Sequence, residues 1–357
     1  MAYSTIPKGN LYMNTLLYTG NGSTNNVTGV GFTPDWVWFK SRNNADDHNW
    51  FDKPRGVTKL IESNTTSQET TQSNGLTAFN SDGYTLESFN AGNRNGGSFV
   101  AWNWKANGQG SSNTDGSINT TYTSANTTAG FSMITYTGNG SSGATVGHGL
   151  GSVPQMFITK RLNAAASGIV SQHQIIPGGN PWDDNYIVLN DPDARSGALS
   201  TTGGNGPTSS VIYLGNDNAV NGNGSTYMTY AFAGKKGYSK FSSYVGNGNA
   251  EGTFTYTGFT PSWIMVKCSS NGSRSWSIFD NKRSPFNISQ NTLLADTTGV
   301  EITNGNNGSL DILSNGFKMR NTDAGTNGSG LTYIYMAFAS NPFVATSGSD
   351  AIPVTAR

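Results

Sequence analysis

Residues 34–40 read PDWVWFK, a proline followed by an almost unbroken apolar run that ends in lysine. The pattern returns as PQMFITK at residues 154–160 and as PSWIMVK at residues 261–267. Proline suits the first position of a strand because its missing N–H costs no ladder bond there, and a continuous apolar run is typical of a strand covered on both faces. The prolines are 120 and 107 residues apart (154 − 34 and 261 − 154), which is the spacing of whole domains.

Two further landmarks accompany each of these strands in a fixed order. Before the strand comes YTGNG or YVGNG, at residues 18–22, 136–140 and 244–248. After it comes an aromatic run, FVAWNWK at 99–105, YMTYAFA at 227–233 and YIYMAFA at 333–339. Such repetition predicts three diverged copies of one β unit. We place copy 1 at residues 1–109, copy 2 at 110–235, copy 3 at 236–345 and a C-terminal tail at 346–357.

Copies 1 and 3 share more than copy 2 does. WFDKPR at residues 50–55 matches FDNKR at 279–283, and DGYTL at 82–86 matches NGFKM at 315–319. An Asp-Gly or Asn-Gly step followed by alternating apolar residues predicts a hairpin. In copy 2 we place Ile169 and Val170 at the Phe-Asp position, and this copy also carries an insertion, PGGNPW, at residues 177–182.

The connections between the copies differ in length. The polar stretch 106–130 predicts an extended linker or an edge strand between copies 1 and 2. The step at residues 234–238 is much tighter, so we expect copies 2 and 3 to lie close together. Residues 342–357 have no periodicity and are expected to run free or to dock on a neighbour.

Composition agrees with a fold of short strands. The 357 residues include 46 Gly and 42 Asn, which tolerate the positive φ of tight hairpins, while aromatic residues make up 11% and supply large units of buried area. The fold class we predict is all-β, with three tandem antiparallel β-sandwiches of a jelly-roll-like kind.

Charge and cysteine content exclude several classes of function. With 21 basic and 21 acidic residues, only 12% of the chain, no phosphate-binding surface is expected and nucleic acid is not a predicted partner. Cys268 is the single cysteine, which excludes an intrachain disulfide and a thiolate metal cluster. The N-terminal residues lack the pattern of a classical export signal, and no apolar run approaches the roughly 20 residues of a membrane helix, so membrane insertion is not expected.

A search for catalytic chemistry finds little. His48, His148 and His173 occupy positions that are not equivalent between the copies, and we expect all three at the surface or in turns. Paired carboxylates can hydrolyse glycosides, but adjacent Asp residues in loops more often cap turns or form a loose Ca²⁺ patch. We therefore predict no enzyme, no catalytic residue, no cofactor and no metal site.

Three tryptophans could bind a ligand if their aromatic faces were exposed. Trp50 and Trp276 recur beside the repeated Phe-Asp pair, which favours a core position. Trp182 lies in the insertion peculiar to copy 2 and is followed by Asp183 and Asp184. These last three residues are the predicted ligand-binding candidates.

The motifs PDWVWFK, TGNG, WFDKPRG, DGY and FVAWNWK, with SMITYTGNG and ATVGHGL in copy 2, resemble a domain that recurs in structural proteins of tailed phages, especially marine cyanophages. The resemblance covers about residues 16–343. It implies a non-enzymatic protein on the virion exterior, in a tail fibre or host-attachment component. A capsid-surface decoration or knob protein is one alternative, and a carbohydrate-binding surface lectin is another. The implied partners are other virion proteins and a host surface glycan or receptor, and our working hypothesis for the oligomer is a homotrimer.

Overall fold

Short antiparallel strands make up almost all of the regular structure in the computed structural model, which describes residues 4, 6, 8–305 and 308–341. One 3-10 turn, Gly9–Leu11, and one short helix, α1 at Asn90–Asn93, are the helical elements within those ranges. The predicted all-β class is confirmed. The tail at 346–357 and the stretch from residue 342 onward lie outside the described residues.

Each copy contributes its own set of strands. Copy 1 contains β1 Met13–Thr19, β2 Asn25–Thr28, β3 Trp36–Ser41, β4 Asn49–Asp52, β5 Lys59–Glu62, β6 Thr70–Thr71, β7 Leu76–Asn80, β8 Gly83–Leu86 and β9 Ser98–Trp104. Copy 2 contains β10 Tyr122–Asn126, β11 Phe131–Thr137, β12 Ala144–Gly147, β13 Met156–Arg161, β14 Ile169–Gln172, β15 Ile187–Val188, β16 Val211–Leu214 and β17 Thr226–Phe232. Copy 3 contains β18 Ser239–Val245, β19 Phe254–Tyr256, β20 Pro261–Cys268, β21 Ser277–Asp280, β22 Leu293–Leu294, β23 Leu310–Leu313, β24 Gly316–Met319 and β25 Thr332–Ala339.

Every copy folds into a large sheet and a small sheet. The large sheets have the orders β1-β9-β3-β4-β5-β6, β10-β11-β17-β13-β14-β15 and β18-β25-β20-β21-β22. The small sheets have the orders β2-β8-β7, β12-β16 and β19-β24-β23. The predicted hairpins of copies 1 and 3 are confirmed as the β7–β8 and β23–β24 pairs. At the first, Gly83 has φ +152°, and a side chain there would collide with the Val27 carbonyl oxygen.

The strand that begins at or just after the repeated proline is central in each large sheet. All residues of β3 and β20 are buried, and in β13 only the last residue is partly exposed. One face of each large sheet packs against the small sheet of its own copy. The opposite face packs against the other two copies. This double burial explains the continuous apolar pattern.

A shared cluster of aromatic side chains, here called the central cluster, joins the three copies. Its rings are Trp36, Trp38, Trp50, Trp102 and Trp104 from copy 1, Phe131, Tyr230 and Phe232 from copy 2, and Tyr238, Phe241, Trp263, Trp276 and Phe338 from copy 3. The ring centroids of Trp36 and Tyr230 are 4.4 Å apart, and those of Trp104 and Trp263 are 5.7 Å apart. The largest buried side chains therefore lie between copies rather than inside one.

Backbone hydrogen bonds close the copies into a ring. The residue that follows β3, β13 or β20 accepts one N–H from a neighbouring copy. Copy 1 donates to copy 2 through Glu69 N–H to Leu162 O at 2.9 Å, and copy 2 donates to copy 3 through Arg195 N–H to Ser269 O at 3.1 Å. Copy 3 donates to copy 1 through Glu301 N–H to Arg42 O at 2.8 Å. The cyclic order shows that the copies surround a common centre instead of following one another in a line.

A buried asparagine explains the repeated GNG turn. Asn93, Asn221 and Asn327 each accept the backbone N–H of the turn asparagine, at 3.0, 2.9 and 3.1 Å. The tyrosine that opens the motif donates its hydroxyl to the carbonyl just before that buried asparagine, at 2.7 Å for Tyr18. The same bond recurs at Tyr136 and Tyr244. These bonds tie the first strand of each copy to the loop that leads into its last strand.

The connections follow the expectations from sequence. Within 106–130, strand β10 pairs with β11 as an edge strand of the large sheet of copy 2. Residue Ile118 in the same stretch pairs with Val146 at the edge of the small sheet. The step from copy 2 to copy 3 is a tight turn closed by the Lys235–Ser239 bridge.

Candidate functional site

Trp182 packs against the side of copy 2. Its indole lies parallel to the Phe157 ring, with 5.7 Å between centroids and 3° between planes. It also contacts the buried cluster between the two sheets of that copy. On the neighbouring strand Ser171 stands where copies 1 and 3 carry Phe51 and Phe279. Phe157, the residue paired with Ser171, is a ring where copies 1 and 3 carry Val37 and Ile264, and Trp182 stacks on it. These contacts describe a packing residue, and its role in ligand binding stays a prediction.

The two acidic candidates beside Trp182 differ in environment. Asp184 has φ +53° and its Oδ1 accepts the backbone N–H groups of Thr202 and Gly203, both at 2.8 Å. It therefore closes a loop. Asp183 is exposed. The three predicted residues are neighbours in sequence, and their role in ligand binding stays a prediction.

The strand register corrects the alignment of copy 2. Met156 pairs with Gln172 as Trp36 pairs with Asp52. Ser171 and Gln172 therefore occupy the Phe-Asp position, and the expectation of Ile169 and Val170 there was wrong by two residues. Gln172 uses its amide to donate to Ser242 O of copy 3 at 3.0 Å, so the position joins copies even without a carboxylate.

Buried ion pairs occupy that position in the other two copies. Asp52 contacts Arg55 at 2.6 Å, and Asp280 contacts Arg283 at 2.5 Å, with all four side chains at most 2% exposed. Each carboxylate also accepts a hydrogen bond from another copy. The Tyr230 hydroxyl donates to Asp52 Oδ2 at 2.7 Å, and the Trp102 indole donates to Asp280 Oδ2 at 3.1 Å. These groups link the copies, and the two carboxylates are fully buried.

Burial overturns part of the expectation for the histidines. His48 and His148 are fully buried and His173 is partly buried, so the first two are not at the surface, although both lie in loops outside the strands. His48 Nδ1 accepts the Trp38 indole N–H at 2.8 Å, and its Nε2 lies 3.0 Å from Leu294 O of copy 3. Trp50 and Trp276 are each 1% exposed, which confirms their predicted core positions.

The environment of His48 predicts a pH dependence of stability. Burial, and then the positive charge of Lys40, lower the pKa of His48 well below its ordinary 6.5. Below pH 6.5 the unfolded chain therefore takes up a proton that the folded chain refuses, and stability falls as the pH falls, by at most about 1.4 kcal/mol per pH unit for this group. Urea unfolding midpoints at pH 7.5 and 5.5 should separate, and His48→Gln should narrow the gap. Equal gaps in both proteins would contradict this assignment, since His148 and His173 remain in each.

The lysine that ends each repeated strand is a feature that sequence reasoning left without a role. Lys40, Lys160 and Lys267 are at most 2% exposed, and burial lowers the pKa of each to about 8. Their ammonium groups donate to backbone carbonyls, with Lys160 reaching Thr65 O of copy 1 and Lys267 reaching Asp191 O of copy 2. The recurrence of lysine after an apolar run was the signal that could have revealed them.

Two clefts open where copies meet. One, of about 310 Å³, lies between copies 1 and 2 and is lined by Arg55, Glu69, Tyr122 and Leu162 among others. The second, of about 270 Å³, lies between copies 2 and 3 and includes Tyr256. In the part of the chain that the structure describes, no three His, Cys, Asp or Glu side chains gather in a way that could hold a metal ion.

Comparison with known proteins gives one match. A family profile described as "Domain of unknown function (DUF7483)" covers residues 8–342. The chain belongs to this family. The DUF7483 match runs through all three copies, which agrees with a ring whose centre needs every copy. No curated protein and no solved structure matches the chain. No helix in the described ranges is long and apolar enough to cross a membrane.

Proposed function

We propose that this chain is a non-catalytic structural component of a phage particle, displayed on the capsid surface as a decoration or knob. The observation that supports this best is the closed ring, in which the three copies share one aromatic centre. Three sandwiches in a line would add length and suit a fibre. A ring adds bulk and rigidity instead, and the buried aromatic side chains of its central cluster join the three copies.

The assignment to a phage particle rests on the resemblance to recurrent domains of tailed-phage structural proteins. A host-attachment component at the tail remains the second candidate. It is favoured by the exposed aromatic side chains of copy 3, with Phe254 at 45% and Tyr256 at 54% exposure, since such rings commonly mark a contact surface.

Labelling of purified particles tests the proposal. Antibodies raised against the chain, coupled to gold, should decorate the heads, and a quantitative gel should give dozens to hundreds of copies per particle. Label confined to tails, with a few copies per particle, would support the second candidate and overturn the first. Recovery of the protein only in the particle-free fraction of the lysate would overturn both.

A further inference from the structure

The cleft between copies 2 and 3 has a lining unlike the buried junctions elsewhere in the ring. It lies beside the tight turn that joins the two copies and is bounded by β18 and the end of β19. Gly237 and Gly258, with φ of +77° and +86°, lie in its lining and contribute no side chain. The cleft is therefore open to a ligand that needs close contact with the backbone.

Tyr256 gives the cleft an exposed aromatic ring that the equivalent position of copy 1 lacks. Tyr256 pairs with Gly316 as Thr28 pairs with Gly83, and Phe254 occupies the position of Asn26. In copy 1 both residues are polar and exposed, as expected for an edge strand in water. In copy 3 this position carries an aromatic ring that is 54% exposed, which leaves part of the ring available to a ligand.

Positive charge is concentrated on the same side. Lys236 and Lys240 line the cleft, Lys235 adjoins them in the turn, and no Asp or Glu belongs to the lining within the described part of the chain. The Lys240 ammonium donates to Tyr256 O at 2.7 Å and stands 5.2 Å from the centre of the Tyr256 ring. Since basic and acidic residues balance over the whole chain, this local excess is a property of the site.

We propose that this cleft binds an acidic saccharide, a chain of sugar rings that carry carboxylates. The apolar face of a sugar ring would lie on the exposed part of Tyr256, and a carboxylate would pair with the lysine ammonium groups. The Gln155 amide in the lining can exchange hydrogen bonds with the hydroxyl groups of a sugar. The inference goes beyond the structural role, because binding can be measured on the purified chain whether or not it occupies a particle.

Isothermal titration with tetragalacturonate tests this assignment. The intact chain should bind, and Tyr256→Thr, which installs the copy 1 residue, should weaken binding by about 3- to 10-fold because one stacked ring is lost. Lys240→Gln removes the charge but keeps a donor for Tyr256 O, and should also weaken binding and reduce its dependence on salt. Phe286→Ala is the matched control, since Phe286 is a ring 80% exposed outside the cleft, and it should bind like the intact chain.

Three outcomes would overturn the proposal. The first is an absence of binding at millimolar tetragalacturonate. The second is equal affinity for a neutral galactose oligomer of the same length or for polyglutamate, which would show that carboxylate-bearing sugars are not recognised as such. The third is unchanged affinity in Tyr256→Thr while its unfolding curve matches the intact chain.

Discussion

Trp36→Ala should destabilise the whole ring, by about 3–5 kcal/mol, the range for truncating a fully buried large aromatic side chain. Trp36 lies in the central cluster, with ring centroids 4.2 Å from Trp104 of its own copy, 4.4 Å from Tyr230 and 5.8 Å from Phe131 of copy 2. Its removal leaves a cavity between copies that neither copy can close by itself. Urea unfolding followed by far-UV circular dichroism should show one transition, moved as a unit to lower urea.

Two further variants serve as controls for the loss of stability in Trp36→Ala. Trp36→Phe keeps a ring, and since the buried Trp36 Nε1 has no hydrogen-bond partner among the residues that the structure describes, it should lose less stability than Trp36→Ala. Phe286→Ala truncates a side chain that is 80% exposed and should leave the midpoint near that of the intact chain. A stepwise transition in which only copy 1 weakens would show that the copies unfold as independent domains.

The strands and hairpins could be predicted from sequence because their signals are local. The proline, the apolar run and the Asn-Gly or Asp-Gly step each act within a few residues. The ring could not be predicted in this way. A strand buried by its own small sheet and by another copy reads the same as one buried inside a single sandwich, so the apolar pattern of β3 does not reveal what covers its second face.

Buried polar residues were the main failure of sequence reasoning. His48 follows a polar loop and therefore looks exposed, yet its burial depends on Leu294 O, a backbone group 246 residues away. The buried asparagine Asn93 was also missed, but a signal for it exists in the sequence. Asn93 lies 11 residues before Trp104, and the same distance separates Asn221 from Phe232 and Asn327 from Phe338. That fixed spacing was available in the sequence, whereas the carbonyl that holds His48 was not.

Trp182 shows how little an insertion reveals about packing. A tryptophan found in one copy alone suggests a specialised contact, and its flanking carboxylates strengthen that interpretation. In the structure its indole stacks on Phe157, a core ring that is paired with Ser171 on the adjacent strand. The loss of a ring at Ser171 and the gain of a ring at Phe157 can be matched only when the strand register is known.

Asp280→Ala is the second substitution with a large expected effect, about 3–5 kcal/mol of lost stability, because it leaves the buried Arg283 charge without its closest partner. Arg283 would keep the Glu301 carboxylate at 3.3 Å and Ile278 O at 2.9 Å, but would lose its closest contact, at 2.5 Å. The Trp102 indole would also lose its acceptor, so the joint between copies 1 and 3 weakens together with the pair. Urea unfolding at pH 7.5 measures the loss.

The exposed pair Lys318–Glu251 provides the matched control for that substitution. Its atoms are 2.6 Å apart, as close as those of a buried pair, but the Glu251 side chain is 64% exposed. Glu251→Ala should therefore move the unfolding midpoint little, because water replaces the lost partner. Asp280→Asn separates charge from shape: it keeps an acceptor for Trp102 while removing the negative charge beside Arg283. If Asp280→Asn is as stable as the intact chain while Asp280→Ala is not, the hydrogen bonds between copies, and not the ion pair, hold this joint of the ring.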